Sequence, residues 1–267
     1  MIKTGRKVNF LIKGIKNPIK AFRYIASLVN NKFKLTEISK VSGGGERLVI
    51  KNWQFAKIGG DFSTLAHIQR YEWVLPYVKG LRCLDAGCGS GYGTHYLAKN
   101  GVGSIIGIDI SAEAINFAKK YYRAENLTYM QGNVCNLKFE DNYFDAIVSF
   151  DVLEHLNEQD QERFISEVSR VLKNEGGLYI GCPNATVSMR NNPFHLKELT
   201  KAEFENLLRR YFGDVKILGQ DILKNGMRQK ENWYKMHSHL SYHDLVIVEE
   251  ECDFVYGLLA ICKAPKK

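Results

Sequence analysis

The sequence predicts a doubly wound α/β fold, a mostly parallel sheet with helices on both faces, and three observations carry that prediction. A buried strand ending in Cys83-Leu84-Asp85 turns sharply into a helix through the glycine-rich stretch Gly87 to Thr94. From there short apolar runs alternate with amphipathic helical segments, as expected of strands buried on both faces and joined by crossover helices. Two of these runs end in carboxylates, Asp109 after Ser104 to Ile108 and Asp151 after Tyr143 to Phe150. In open α/β sheets ligands bind beyond the carboxyl ends of the strands, so these positions share one face of the molecule.

The glycine stretch reads Asp85-Ala86-Gly87-Cys88-Gly89-Ser90-Gly91-Tyr92-Gly93. Glycine permits unusual φ and close approach of a ligand, and such a corner is expected to aim free amide N–H groups at that ligand. The dinucleotide spacing G-x-G-x-x-G fails, because the third glycine position holds Tyr92 counted from Gly87 and Thr94 counted from Gly89. No Gly-Lys-Ser/Thr follows, which excludes a P-loop. What remains is D-x-G-x-G-x-G, whose carboxylate, Asp85, suits a ligand with a positive or amino group.

In chain order, residues 1–45 read as a basic amphipathic extension and residues 46–267 as the main domain, with Ser42-Gly43-Gly44-Gly45 as a flexible joint. Residues 1–40 hold ten Lys/Arg and one acid, a net of +9 against +8 for the whole chain, so the basicity belongs to this arm. Its mixture of Phe, Ile and Leu with Lys and Arg suits an anionic membrane surface as well as it suits a solvated arm. No nucleic-acid-binding module accompanies the charge. Asp61 to Leu75 has helical spacing and places His67, Arg70 and Tyr71 within about one turn of each other. Tyr92 to Lys99, a helix capped by Ser111, and Gln161 to Leu172 are the next helices. Leu127 to Gln131, Leu178 to Cys182, Asp214 to Gln220 and Phe254 to Lys263 complete the strands. Thr200 caps a helix reaching Tyr211. Residues 221–252, aromatic and polar, leave from the ligand side and are read as a substrate cap; their His237, His239 and His243 match no zinc framework. The six cysteines form no C-x-x-C, which favours reduced thiols in the cytoplasm; no secretory leader is expected from the first residues, and no run of about 20 apolar residues occurs.

The landmarks from Ala66 to Cys262 resemble the class I S-adenosylmethionine-dependent methyltransferases, whose first motif has the form seen at residues 85–91. The resemblance implies a Rossmann-like fold of seven strands, ordered 3-2-1-4-5-7-6 with strand 7 antiparallel. It also implies S-adenosylmethionine bound by Asp85, Gly87, Cys88, Gly89, Gly91, Asp109, Ile110, Asn133, Val134 and Phe150, with Arg70 on the methionyl carboxylate. Asp109 is assigned the ribose hydroxyls. Asn133 stands where the family usually has an acid against the adenine amino group, and its side-chain oxygen can accept the same hydrogen bond.

Asp151, Glu154 and His155 follow the fourth strand at i, i+3 and i+4, which puts them on one face if the chain is helical there. They are read as the catalytic group, structural or acid–base in role. His195, in Asn192-Pro193-Phe194-His195, is a second candidate base. A metal-holding role for Asp151, Glu154 and His155 rests on a similar cluster in ubiquinone-biosynthesis O-methyltransferases; it ranks lower, and no metal is assigned. The same motifs look most like methyltransferases of bacterial polysaccharide pathways. The acceptor implied is a sugar or nucleotide-sugar hydroxyl, with the arm holding a cytoplasmic, membrane-peripheral enzyme near its substrate. Methylation of RNA and a non-catalytic cofactor-binding scaffold are the alternatives.

Overall fold

In the computed structural model, which describes residues 36–41, 45–50, 53, 57, 62–188, 192–224, 227–228 and 242–267, the alternation read from the sequence becomes one large sheet with helices on both faces. An antiparallel pair comes first, β1 (Thr36–Val41) and β2 (Gly45–Ile50), with Val41 opposite Gly45. The expected boundary at residue 45 therefore falls at the start of a strand. Leu48 and Ile50 join the core of the main body, and the Ser90 and Tyr122 hydroxyls donate to the Leu48 and Ile50 carbonyls at 2.5 and 2.8 Å. The rest of the expected amphipathic arm, residues 1–35, lies outside the described residues.

After α1 (Phe62–Val78) come β3 (Arg82–Ala86), α2 (Tyr92–Lys99), β4 (Ser104–Asp109), α3 (Ala112–Tyr121), β5 (Leu127–Gln131) and β6 (Phe144–Phe150). Then follow α4 (Glu158–Val171), β7 (Leu172–Pro183), α5 (Lys201–Tyr211), β8 (Phe212–Lys224), β9 (Met227–Arg228), β10 (Leu245–Val248) and β11 (Gly257–Pro265). The sheet order is β10-β8-β11-β7-β6-β3-β4-β5, with β9 paired to β8. Strands β5 to β7 and β3, β4 are parallel, and β11 runs antiparallel between β7 and β8.

The seven-strand expectation is corrected at one edge. The run Leu245-Val246-Ile247-Val248, inside the expected cap of residues 221–252, pairs antiparallel with Gly219 to Ile222 of β8. Apolar and β-branched residues fit a pleated, half-buried surface, and β8 is long enough to offer its edge. Residues 229–241, with His237 and His239, lie outside the described residues.

Two apolar cores flank the sheet. One joins Ile68 and Val74 of α1, Leu97 of α2 and Ile115 of α3 to Cys83, Ile105 and Val148. The other joins Phe164 and Val168 of α4 and Phe204 and Leu208 of α5 to Leu84, Ile147 and Leu258. The sheet order reverses between β3 and β6, and the crevice at such a point receives ligands in open α/β folds. The glycine loop leaves β3 on one side of it; Asp151 leaves β6 on the other.

Candidate functional site

A cavity of ≈ 800 Å³ opens over those strand ends. Its wall runs from Gly87, Cys88 and Gly89 past Asp109, Ile110, Asn133 and Val134, then by Phe150 and Asp151 to Glu154, His155 and His195. Asp109 is 8% exposed, and its two oxygens accept from the backbone N–H of Gly89 at 3.0 Å and of Ser111 at 2.9 Å. The same side chain lines the cavity. Ile110 beside it is 67% exposed, a large apolar face left open at a strand tip. The Oδ1 of Asn133 accepts from the Cys135 N–H at 2.9 Å, so its outward bond to an amine would be a second one.

The structure differs from three expectations about the glycine stretch. Asp85 does not reach the cavity wall: it is 0% exposed and lies beneath the loop, accepting from Thr94 Oγ1 at 2.6 Å and from the Tyr71 hydroxyl at 3.3 Å. Burial pushes its pKa up to about 7, against the lowering effect of those two hydrogen bonds. Gly91 is likewise absent from the wall. It precedes α2 with φ 88, and a Cβ there would come within 2.7 Å of Ala118 and 2.8 Å of Tyr129. Most of the loop amides are paired as well. Gly87 and Cys88 N–H both donate to the Ile108 carbonyl, at 2.9 and 2.8 Å, and Gly91 N–H donates to Cys88. A phosphate cradle needs unpaired amides; this loop instead brings its main chain against β4.

Arg70 lines the cavity, but its guanidinium is already engaged. It pairs with Asp151 and donates through Nε to Gln220 Oε1 at 2.6 Å. His67 Nε2 lies 3.1 Å from the same Asp151 carboxylate, while its Nδ1 meets the Tyr92 hydroxyl at 2.7 Å. Burial raises the Asp151 carboxyl, yet Arg70 and His67 outweigh it and hold the group below its usual range. Asp151 has φ 55, a conformation few non-glycine residues adopt, and its Oδ1 is buried without a hydrogen-bond partner. Gln220, which also donates to Ala66 and Gln69, and Gln69, which donates to the Leu245 carbonyl, tie α1 across β8 and β10. Sequence reasoning missed this clasp, since nothing local links Arg70 to residues 81 and 150 positions away.

Beyond Asp151 the chain forms a 3-10 turn, Leu153–His155, in place of the expected α-helical turn. Glu154 is 2% exposed and its Oε2 is buried without a partner. Burial, then the charge of Asp151, pushes this carboxyl well above its usual range. The segment after Asn192 closes over the turn, with Leu196 and Lys197 N–H donating to the Glu154 carbonyl at 2.7 and 3.2 Å. The His155 and His195 rings then meet edge-on, centroids 5.1 Å apart. Glu154, His155 and His195 each offer one ligand atom within 4.8 Å of the others, a set able to hold a metal ion. It differs from the trio weighed in the sequence, with His195 in place of Asp151.

Comparison with known proteins fits this geometry. Residues 84–180 match the family described as "Methyltransferase domain". The chain is 32% identical over 173 residues, 61% of its length, to the "Probable S-adenosylmethionine-dependent methyltransferase Rv3030" of Mycobacterium tuberculosis, and spans 58% of that relative. Over 104 residues it is 35% identical to a fatty-acid O-methyltransferase of Mycolicibacterium smegmatis, 39% of this chain and 37% of that one. Over 147 residues it is 29% identical to a phthiotriol/phenolphthiotriol dimycocerosates methyltransferase of M. tuberculosis, 51% of this chain and 53% of that one. The chain thus spans well under two thirds of these relatives' own length. Among solved structures it resembles an S-adenosylmethionine-dependent methyltransferase of Archaeoglobus fulgidus, with a TM-score of 0.57, 20% identity and 74% and 92% of the two chains covered. One from Mesorhizobium loti has a TM-score of 0.52, 18% identity and 75% and 98% coverage. These likenesses establish the Rossmann-like methyltransferase fold.

Proposed function

We propose that the chain transfers a methyl group from S-adenosylmethionine to a hydroxyl-bearing acceptor, with His155 receiving the hydroxyl proton. The observation that carries this reading is one cavity joining the glycine loop and Asp109 to the His155 end. The residues fit the donor molecule: Asp109 for the ribose hydroxyls, the open face of Ile110 and the edge of Val134 for an adenine, and Gly87 and Gly89 for close approach of its backbone-facing side. Gly89 has open space where a Cβ would stand. Asp151 and Arg70, both on the cavity wall, carry opposite charges suited to a zwitterionic methionyl group. When bound, S-adenosylmethionine supplies an electrophilic methyl group on its sulfonium.

The chain's own residues then have three tasks. They hold the acceptor in line, exclude water, and accept a proton. His155 Nδ1 faces the Phe194 carbonyl at 3.0 Å. A carbonyl only accepts, so Nδ1 carries the hydrogen and Nε2 keeps a lone pair for the acceptor's proton. His195 Nε2 is occupied by the Asn192 amide at 3.0 Å, which favours His155 over His195 as the base.

A sugar or nucleotide-sugar hydroxyl in polysaccharide biosynthesis remains one acceptor class, supported by Ser63, Asn192 and the histidines on the wall. A second class is favoured by the apolar wall itself. Phe62, Leu156, Pro183, Pro193, Phe194 and Leu196 line the cavity, with Leu196 65% exposed at its edge. Together they suit a hydroxyl on an apolar body, and two of the relatives carry lipid substrates in their names.

Titration calorimetry should give S-adenosylmethionine and S-adenosylhomocysteine binding to the wild type and none to Asp109→Ala. No binding by the wild type overturns the reading and leaves even the scaffold alternative without a ligand. Transfer of labelled methyl groups to methyl glycosides, to hydroxy fatty acids and to RNA separates the acceptor classes. His155→Ala lowers the productive rate by about 10²–10⁴-fold, the usual contribution of a general base. A chelator leaves the rate unchanged; a loss restored by a divalent ion would make His155 a ligand and not a base.

A further inference from the structure

The segment Asn192 to Glu198 carries a hydrogen-bonded chain that begins at His155 and leaves the cavity. The His155 Nδ1–H donates to the Phe194 carbonyl at 3.0 Å. The Phe194 N–H donates to Asn192 Oδ1, also at 3.0 Å. A backbone N–H only donates, so this contact fixes the amide and leaves Nδ2 as the donor to His195 Nε2, 3.0 Å away. His195 Nε2 must then accept, which puts the His195 hydrogen on Nδ1, 2.5 Å from Glu198 Oε1. Every donor points the same way, from His155 toward Glu198. The Glu198 side chain is 6% exposed and forms no part of the cavity wall.

We propose that Glu198 is a positioning residue for the base, acting at a distance through His195 and Asn192. A carboxylate can only accept, so it holds His195 as the Nδ1–H tautomer, and that tautomer holds Asn192 with its oxygen toward Phe194. Without Glu198 the His195 hydrogen is free to move to Nε2, where it opposes the Asn192 amide hydrogens. Turning the amide relieves that conflict but sets its NH₂ against the Phe194 N–H. Either way the Phe194 N–H loses its acceptor, so the next peptide unit, whose Phe194 carbonyl faces His155, keeps as anchor only the His195 N–H on the Asn192 carbonyl at 3.1 Å, and its hold on the His155 Nδ1–H loosens. Groups that orient a histidine from behind in this manner fix its tautomer and ring position in many sites. The proposal rests on the reading of His155 as the base, but its geometry is independent of any acceptor.

The test reads the tautomers directly. Long-range ¹⁵N–¹H imidazole spectra of the labelled full chain are recorded at a pH of about 8.5, above the ordinary histidine range. In the wild type both His155 and His195 give the Nδ1–H pattern. Glu198→Ala abolishes that pattern at His155 and replaces it with a mixture or with Nε2–H, whereas Glu198→Gln, whose carbonyl accepts the same hydrogen, retains it. His195→Phe cuts the chain at another link, gives the same loss at His155, and serves if Glu198→Ala fails to fold by circular dichroism. An unchanged Nδ1–H signal at His155 in the folded Glu198→Ala or His195→Phe variant overturns the proposal and leaves His155 as the base. An Nε2–H His155 in the wild type overturns both, because that nitrogen would have no lone pair to offer.

Discussion

Asp85 lies buried beneath the glycine loop, and Arg70 pairs with Asp151 while also lining the cavity. Asp85 is completely buried and its pKa is raised to about 7, chiefly by desolvation. The native state therefore holds a proton that the unfolded chain releases near its ordinary pKa of about 3.9. The folded protein binds more protons than the unfolded one across that window, so stability falls as pH rises from about 4 to about 7. Asp85→Asn removes this contribution: between pH 5 and pH 8 its urea midpoint drops less than that of the wild type. Arg70 and the partly buried Asp151 form an ion pair, and removal of Arg70 leaves Asp151 only His67 as a charge partner. Arg70→Met should cost about 3–5 kcal/mol in urea unfolding, and adding Asp151→Asn should return part of it, since the stranded charge is then gone. Asn also tolerates the positive φ at residue 151.

Among the elements, the joint between α1 and α2 is the tightest. A Cβ on Gly93 would stand 2.0 Å from the Tyr71 ring, whose hydroxyl reaches Asp85. Gly93→Ala must push α2 away from α1 and should cost about 1–3 kcal/mol, read in the same unfolding assay, with weaker S-adenosylmethionine binding because the glycine loop feeds α2. At α5 the capping box between Thr200 and Glu203 was legible in advance as an N-cap signal. Thr200→Ala should cost about 1 kcal/mol without altering ligand affinity, since α5 packs on the face away from the cavity wall. Most element types were readable because period and caps are local. The end of β8 and all of β10 were not: whether Leu245 to Val248 covers a substrate or pairs with an edge depends on which strand lies beside it.

For the whole molecule, ligand linkage gives the simplest check. S-adenosylmethionine at about 100 times its dissociation constant stabilises the native state by about 2.7 kcal/mol. The wild-type melting temperature should rise accordingly, and that of Asp109→Ala should not. Among the described residues no helix is long and apolar enough to cross a membrane. The proposed attraction to an anionic surface rests on the charge of the basic arm, so deletion of residues 1–35 should abolish co-sedimentation with anionic vesicles while leaving S-adenosylmethionine binding intact.

The sequence by itself determined the strand–glycine–helix corner, Asp109 at the tip of β4 and the doubly wound α/β class, because each is written in spacing, periodicity and residues that serve their own neighbourhood. It also named Asp151, Glu154, His155 and His195. Only the tertiary structure decided what those residues do to one another. Arg70 turned inward to Asp151, Asp85 sank beneath the loop, and His195 was taken up by Asn192 and Glu198. Hydrogen-bond polarity and burial are relations between segments distant in the chain, and no local pattern records which donor will meet which acceptor once the segments pack.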